Sequence, residues 1–133
     1  MDILYTEAIP NQDQIYKLYD CFGWNNFLIL SKESLHQAMV QSWCVISAFH
    51  QDELVGTGRL VSDGIINAYL CGLVVHPNYQ NQGVGSEIVQ QLVNKGHSHN
   101  LHIELFCESD KIKYYEKFGF KVFASGMKYH ALP

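Results

Sequence analysis

A short segment with two glycines offers the clearest chemistry in the chain. It reads Tyr79-Gln80-Asn81-Gln82-Gly83-Val84-Gly85-Ser86 and lies between a strand-like and a helical pattern. The first turn of a helix has unpaired N–H groups and a partial positive charge, so a phosphate binds there without cationic side chains. Glycine lets the phosphate come close to the backbone because no Cβ intervenes. The segment therefore predicts a binding loop for a phosphorylated ligand.

Two common nucleotide-binding loops do not match this segment. A P-loop needs Gly-Lys followed by Ser or Thr, and the segment has no such triplet. The dinucleotide fingerprint needs a third glycine three residues after Gly85, where the chain has Ile88. A tight turn that only leads a strand into a helix is the remaining structural alternative.

The elements around the loop alternate between helical and strand-like patterns. Apolar residues at helical spacing predict helices over 12–22, 31–39, 84–96 and 110–118, the last one capped by Asp110. Runs of β-forming residues predict strands over 43–49, 54–61, 65–75, 101–107, 119–123 and 127–129. The first three strands are expected to form a meander. Because a helix separates strands 65–75 and 101–107, they can lie parallel in a right-handed βαβ unit.

Length, composition and charge limit the classes of protein. A chain of 133 residues fits one domain, 1–133, so any site must be built around a single core. With 47% apolar and 17% charged residues, the composition is typical of a packed globular domain. The net charge of -4 and the scattered lysines argue against nucleic-acid binding.

Hydropathy and cysteine usage indicate the compartment. No apolar stretch approaches the ~18 residues that span a bilayer, and residues 1–4 carry no leader-like charge, so a cytoplasmic protein without membrane contact is expected. The four cysteines are far apart and form no Cys-x-x-Cys pair. We therefore expect reduced thiols, with neither a disulfide framework nor a metal site.

Three motifs together resemble the Gcn5-related N-acetyltransferase (GNAT) superfamily. They are the strand end Leu73-Val74-Val75-His76-Pro77, the loop Gln80-x-x-Gly83-x-Gly85, and the run Tyr114-Tyr115-Glu116-Lys117-Phe118-Gly119-Phe120. They occur in the order and at the spacing of that family, and the similarity is strongest over 44–123. The resemblance implies a mixed α/β fold, in which a central, mostly antiparallel sheet is flanked by helices and a splayed parallel strand pair holds the cofactor. It also implies acetyl-CoA as cosubstrate, a primary amine as acceptor and no metal.

The same resemblance assigns the cofactor contacts. The backbone amides of the loop would hold the pyrophosphate, namely those of Gln80, Asn81, Gln82, Gly83, Val84, Gly85 and Ser86. The strand edge formed by Leu73, Val74 and Val75 would bind the pantetheine arm. An N–H near Leu73, where the family's strand carries a bulge, would polarise the acetyl carbonyl.

Tyr115 matches the family's tyrosine that protonates the departing thiolate of CoA. A phenol with a pKa of about 10 is protonated at neutral pH and can supply that proton. The structural alternative is that Tyr115 only packs under the sheet.

The sequence does not fix the general base. The predicted strand over 65–75 carries no carboxylate, so His76, Glu104 and Glu108 remain candidates, besides direct loss of the proton to water. His76 is expected to be a surface or capping residue. Members of the family commonly have an Asn and then an Ala before the last helix, whereas this chain has Glu108 and Asp110 near those positions.

The acceptor side is predicted from charged and aromatic residues. Glu104 and Glu108 bring acidic groups near the cleft, which favours a neutral or cationic amine. Phe22 and Trp24 lie in the connector that lines the acceptor pocket in the family, where they form either a pocket wall or part of the core. We therefore expect direct acetyl transfer to a small-molecule amine in a ternary complex.

Other routes and states stay open at this point. A ping-pong route through Cys71 or Cys107 is the enzymatic variant. An acyl-CoA-binding regulatory module without turnover is the alternative from another class of protein. The oligomeric state is open as well, a homodimer included.

Overall fold

A five-stranded mixed sheet forms the centre of the computed structural model, which describes residues 2–130 except for the side chain of Phe27. The strands are β1 (Ile3–Thr6), β2 (Cys44–His50), β3 (Glu53–Ser62), β4 (Asn67–Val75) and β5 (His102–Glu104). The helices are α1 (Gln12–Phe22), α2 (Asn25–Leu28), α3 (Lys32–Val40), α4 (Val84–Ser98) and α5 (Ile112–Glu116), with 3₁₀ turns at Pro77–Tyr79 and Ser109–Lys111. The strand order is β1-β2-β3-β4-β5.

The pairing directions confirm the expected sheet. Neighbouring strands from β1 to β4 are antiparallel, and β4 and β5 are parallel. The parallel pair is joined by α4, so the predicted βαβ unit is present. The mixed, mostly antiparallel fold with a parallel strand pair is therefore confirmed.

The parallel strands separate after a short common stretch. β4 pairs with β5 only from Asn67 to Tyr69, although β4 continues to Val75. Beyond Tyr69 the two strands diverge, and the edge of β4 that faces β5 is left without a strand partner among the described residues. The result is an open wedge between β4 and β5, as the splayed pair predicted.

Each face of the sheet carries its own core. α4 covers one face with Val84, Ile88 and Leu92. α4 lies so close to β3 that a Cβ on Gly58 would come within 2.9 Å of Ile88. Only glycine at this position allows the approach. α1 and α3 cover the opposite face with a second apolar cluster: Ile15, Leu18, Tyr19, Leu35 and Met39, packed on Val45, Leu54 and Val74.

Local signals set the helix boundaries. Asn11 caps α1 by accepting the N–H of Gln14 at 2.9 Å, and Gly23 ends the helix in a left-handed conformation. Ser31 caps α3 by accepting the N–H of Ser34 at 3.1 Å. These caps place the start of both helices where the sequence predicted them.

Four details differ from the sequence prediction. β1 was not expected, and it forms because its four residues pair with the edge of β2. The predicted strands 119–123 and 127–129 are absent, and their apolar side chains, such as Val122 and Met127, are exposed. Both stretches have β-forming residues, but a strand also needs a partner edge, and β5 offers only three residues. The predicted strand 101–107 is shortened to β5 because the chain diverges from β4 beyond the Tyr69–Glu104 pair.

The last helix also differs. Asp110 was expected to cap a helix over 110–118, but it lies inside the 3₁₀ turn Ser109–Lys111. α5 begins only at Ile112, without a side-chain cap, and ends at Glu116. A helix of this length has few internal hydrogen bonds, so packing against the core holds it rather than capping.

Candidate active site

A bulge interrupts β4 in the middle of the wedge. Thr57 pairs with Val74 and Arg59 pairs with Cys71, so β4 has one more residue than β3 over this stretch. Gly72 lies in the bulge with a φ of 67°, a conformation that favours glycine. A bulge leaves its extra residue unpaired, which frees backbone groups from the ladder. The bulge expected near Leu73 is therefore present.

The segment 80–86 forms the turn into α4. Asn81 and Gly83 both have positive φ angles, 61° and 87°, which reverse the chain before the helix begins. Gly83 stands at the N-cap and provides no side-chain cap, so the first N–H groups of α4 have no side-chain acceptor there. A Cβ on Gly83 would meet no atom within 4 Å. The helix start is thus open to a ligand.

Two glutamines brace this turn from within. The side-chain amide of Gln80 donates to the carbonyl of Val75 at 3.0 Å. The side-chain amide of Gln82 donates to the carbonyl of Asn78 at 3.2 Å. Both side chains are used to fix the backbone, so any ligand at the turn would meet main-chain N–H groups.

Tyr114 links α5 to the first turn of α4. Its hydroxyl oxygen lies 3.2 Å from the hydroxyl oxygen of Ser86 and 3.4 Å from where a Cβ on Gly85 would stand. The same Cβ position lies 3.4 Å from Val75 and 4.0 Å from Leu73. The turn, the end of β4 and the bulge therefore meet around Gly85. This contact was not predicted from the sequence, although Tyr114 stands next to the predicted acid.

Tyr115 packs on the main core and lines a cleft of about 530 Å³ between β5, α5 and residues 119–126, called here the Tyr115 cleft. Burial raises the pKa of Tyr115, and its neighbours Tyr114 and Cys107 raise it further. The phenol therefore stays protonated at neutral pH, which is the state that a proton donor needs.

The three candidate bases lie in different places. His76 accepts the N–H of Asn78 on Nδ1 at 3.1 Å, so its expected capping position is confirmed. Glu104 of β5 lines the Tyr115 cleft. Glu108 is exposed at the start of a 3₁₀ turn and does not line that cleft. The structure thus brings Glu104 and Tyr115 to one cleft and leaves the other two outside it.

The cysteines are all free thiols. Burial raises the pKa of Cys71, and the nearby charge of Arg59 offsets this only in part. Burial, with the nearby carboxylate of Glu7, raises the pKa of Cys44 to about 11. Because the thiolate is the nucleophile, neither group is activated for attack at neutral pH.

Phe22 and Trp24 belong to an aromatic cluster. Trp24 contacts Tyr19 edge-on with a centroid distance of 5.6 Å and Phe22 with 5.2 Å. Both side chains pack against the core under α1 and α3. These contacts are those of core packing, and a role as the acceptor wall stays a prediction.

Metal-binding clusters and membrane-spanning helices are both absent from residues 2–130. No group of three or more histidine, cysteine or acidic side chains is placed to hold a metal ion. No helix in this part of the chain is long and apolar enough to cross a membrane.

Known proteins resemble the chain over most of its length. The Acetyltransferase (GNAT) family matches residues 5–120. The uncharacterized N-acetyltransferase ycf52 of Porphyra purpurea is 30% identical over 123 residues, which is 89% of this chain and 69% of that protein. The chain thus spans about two thirds of the length of this relative.

Solved structures share the fold. A GNAT family acetyltransferase from Streptococcus pneumoniae TIGR4 superposes with a TM-score of 0.75 at 25% identity, covering 98% of this chain and 97% of the other. The PaiA N-acetyltransferase of Thermoplasma acidophilum, solved in complex with coenzyme A, has a TM-score of 0.74 at 19% identity over 95% and 94% of the two chains.

Proposed function

Because the chain belongs to the GNAT family of N-acetyltransferases, we propose that it transfers an acetyl group from acetyl-CoA directly to a primary amine of a small molecule. One observation carries this proposal. The open N-terminus of α4 and the bulge of β4 meet at Gly85, whose Cβ position lies 4.0 Å from Leu73. A single elongated ligand can therefore reach from the helix start to the bulge. The coenzyme A in the Thermoplasma acidophilum structure supports this choice of cosubstrate.

The cofactor would bind along backbone groups. The amides of residues 80–86 would hold the pyrophosphate at the positive end of the α4 dipole. The pantetheine arm would lie in the wedge, along Leu73, Val74 and Val75 of β4. The carbonyl of the thioester would accept an N–H at the bulge near Leu73, which makes its carbon more electrophilic.

The transfer itself needs a neutral amine and a proton donor. The amine attacks the thioester carbon, the bond to sulfur breaks, and the sulfur leaves with the electron pair. Tyr115 then gives its proton to the sulfur, and the raised pKa of Tyr115 keeps that proton available. Glu104 lines the same cleft and is the side chain proposed to take the proton of the amine, directly or through water.

No covalent intermediate on the protein is proposed. The raised pKa of Cys71 keeps its thiol protonated at neutral pH. Transfer in a ternary complex needs only groups that the wedge and the Tyr115 cleft provide. We place the reaction in the cytosol, which agrees with four free thiols, and a homodimer is compatible with it.

Turnover of acetyl-CoA with a panel of primary amines tests the proposal. We expect acetyl-CoA to raise the Tm of the protein, since a ligand that binds only the folded state stabilises it. We also expect at least one amine to release CoA faster than the background hydrolysis. A Tm shift without turnover for any amine would instead support the regulatory, acyl-CoA-binding module.

A further inference from the structure

The only arginine of the chain lies on the central strand β3. Arg59 pairs across the sheet with Val45 of β2 and Cys71 of β4. Val45 packs in the core under α1 and α3, and residues paired in this way share a face. Arg59 therefore extends from the face of the sheet opposite α4.

No carboxylate of the described residues forms an ion pair with Arg59. The ion pairs found among residues 2–130 join Lys32 to Asp13 and Lys95 to Glu7, and neither includes Arg59. Its Nη1 donates two long hydrogen bonds, 3.5 Å to the carbonyl of Ala38 and 3.4 Å to the hydroxyl of Ser42. Its Nε is buried and has no acceptor among the described residues. Buried cationic groups are normally paired, so this one has unused binding capacity.

The side chain of Arg59 lies against the bulge. A Cβ on Gly72 would come within 2.9 Å of Nε and 3.5 Å of Cδ, so the stem crosses directly over the bulge residue. The residue as a whole is only partly buried. An acceptor whose amine reaches the acetyl carbon near Leu73 would therefore bring its other end close to the guanidinium.

The same face connects Arg59 to other groups proposed for the acceptor. Tyr19 belongs to the apolar cluster on this same face, burial raises its pKa, and the charge of Arg59 partly offsets this. Tyr19 in turn contacts Trp24. On the other side of β4 lies Glu104 of β5, which pairs with Tyr69. Tyr69 is two residues along β4 from Cys71, the partner of Arg59. With ordinary strand spacing, the Cα atoms of Arg59 and Glu104 are about 12 Å apart, and both side chains lie on one face of the sheet.

We infer that Arg59 binds an oxyanion, a carboxylate or a phosphate, which the acceptor amine carries in addition to its amino group. This inference rests on the proposed acetyl transfer and narrows its substrate class. Guanidinium binds planar or tetrahedral oxyanions in bidentate form, and no carboxylate of residues 2–130 occupies Arg59. Glu104 remains available for the ammonium end. The acceptor is thus a zwitterion, rather than the neutral or cationic amine that the acidic residues alone suggested.

Paired amines provide the test. Each pair consists of an amine without an acidic group, called neutral below, and a counterpart that carries a phosphate or carboxylate, called anionic below. The pairs are ethanolamine with O-phosphoethanolamine, propylamine with β-alanine, and phenethylamine with phenylalanine. Wild type should prefer the anionic member of its best pair by at least about tenfold in kcat/KM, and the pair that shows this identifies phosphate or carboxylate. Comparing variants within a pair cancels the intrinsic reactivity of each amine.

Two substitutions separate charge from geometry. Arg59→Met keeps a stem of similar volume and should lower kcat/KM for the preferred anionic amine about 10- to 100-fold, while its neutral counterpart changes less than about threefold. For the anionic amine, the kcat/KM of Arg59→Lys should lie between those of wild type and Arg59→Met, because an ammonium does not bind in bidentate form. A neutral amine preferred by wild type, or equal losses for both members of a pair, would overturn the inference.

A measurement without turnover keeps the inference separate from the proposed chemistry. The protein would be melted in the presence of CoA, with sodium chloride added to keep the ionic strength constant. Under these conditions, sodium acetate or inorganic phosphate should raise the Tm of wild type and not that of Arg59→Met. If no amine is acetylated but this difference is found, the acetyl transfer fails and the oxyanion site stands. If amines are acetylated but the difference is absent, the oxyanion site fails alone.

The unliganded Tm separates binding from a structural role. Replacing an unpaired, partly buried charge by an apolar side chain of similar size is often neutral or stabilising. Arg59→Met should therefore melt at the same temperature as wild type or higher. A clear drop in Tm together with equal losses for all amines would mean that Arg59 only holds the end of α3.

Discussion

The two halves of the proposed site are built from different parts of the chain. The cofactor half, which is the bulge of β4 and the turn into α4, consists of backbone groups set by Gly72, Gly83 and Gly85. The proposed acceptor half consists of side chains on the two strands that flank β4, chiefly Arg59 of β3 and Glu104 of β5. Backbone donors stay in place when most side chains change, whereas a charge is lost with its residue. Substitutions in the cofactor half should thus affect all acceptors alike, and those in the acceptor half should change the choice of acceptor.

The largest effect is expected at the turn into α4. Gly85→Glu puts a negative side chain where the phosphate must approach, against Tyr114 and Val75 at 3.4 Å. We expect the Tm shift with acetyl-CoA to disappear and kcat/KM to fall at least about 1000-fold for every amine. Gln90→Glu is the matched control, since it adds the same charge to an exposed position of α4 beyond its first turn. An undiminished Tm shift in folded Gly85→Glu would remove the turn from the cofactor site.

The next largest effect should separate two adjacent tyrosines. Tyr115→Phe should lower kcat about 100-fold and leave the Tm shift with acetyl-CoA intact, since it removes a proton donor and keeps the ring. Tyr114→Phe, the matched control, loses the hydroxyl contact to Ser86 and should change mainly the KM for acetyl-CoA. If both variants lose the same fraction of kcat, the acid is not Tyr115.

The pH profile gives the same prediction an independent check. Burial raises the pKa of Tyr115 above its ordinary value near 10, so the phenol donates a proton over the whole neutral range. On the alkaline side of the profile, activity should decline only as the pH rises through that raised pKa. Tyr115→Phe should lack this alkaline decline, and a profile unchanged by the substitution would contradict the assignment.

A smaller effect is expected at the bulge. Gly72→Ala forces a positive φ on a residue with a Cβ and should cost about 1–2 kcal/mol of unfolding free energy. Measured with a neutral amine, kcat should also fall about tenfold because the carbonyl donor shifts. Gly64→Ala is a matched control with a φ of 78° in the β3–β4 turn, so it should lose comparable stability and keep its kcat. Equal kcat in both variants would mean that the bulge does not contact the thioester.

The smallest effect is expected at Cys71. The thiol is partly buried and its raised pKa opposes thiolate formation, so Cys71→Ser should keep kcat within about twofold. Steady-state rates with both substrates varied provide the check. A loss of activity with a burst of CoA in wild type would favour the ping-pong route.

The cofactor half was largely predictable from sequence because local backbone rules define it. Gly83 and Gly85 before a helical pattern indicate a turn with open N–H groups, and the structure has that turn. The bulge at Gly72 came from family resemblance alone. The contacts of Tyr114 were missed, since they depend on how α5 packs against α4.

The acceptor half was less predictable because it depends on tertiary pairing. The position of Arg59 in the sequence does not show that it has no carboxylate partner among the described residues or that it lies over Gly72. Its neighbours come from α3 and β4, which only the fold brings together. Glu108 was expected near the cleft, but the strand 101–107 ends early and leaves it exposed. The strands predicted over 119–123 and 127–129 did not form, because β propensity does not supply a partner edge.

The path of the acetyl group is the most direct test of the account. Protein loaded with acetyl-CoA would be mixed with an accepted amine, quenched within a single turnover, and analysed by mass spectrometry of protein, cofactor and amine. For direct transfer, we expect equal amounts of free CoA and N-acetylated amine, with no acetyl group on the protein at any time. Acetylated protein that forms and then decays, or acetyl-CoA that stays bound and intact, would contradict it.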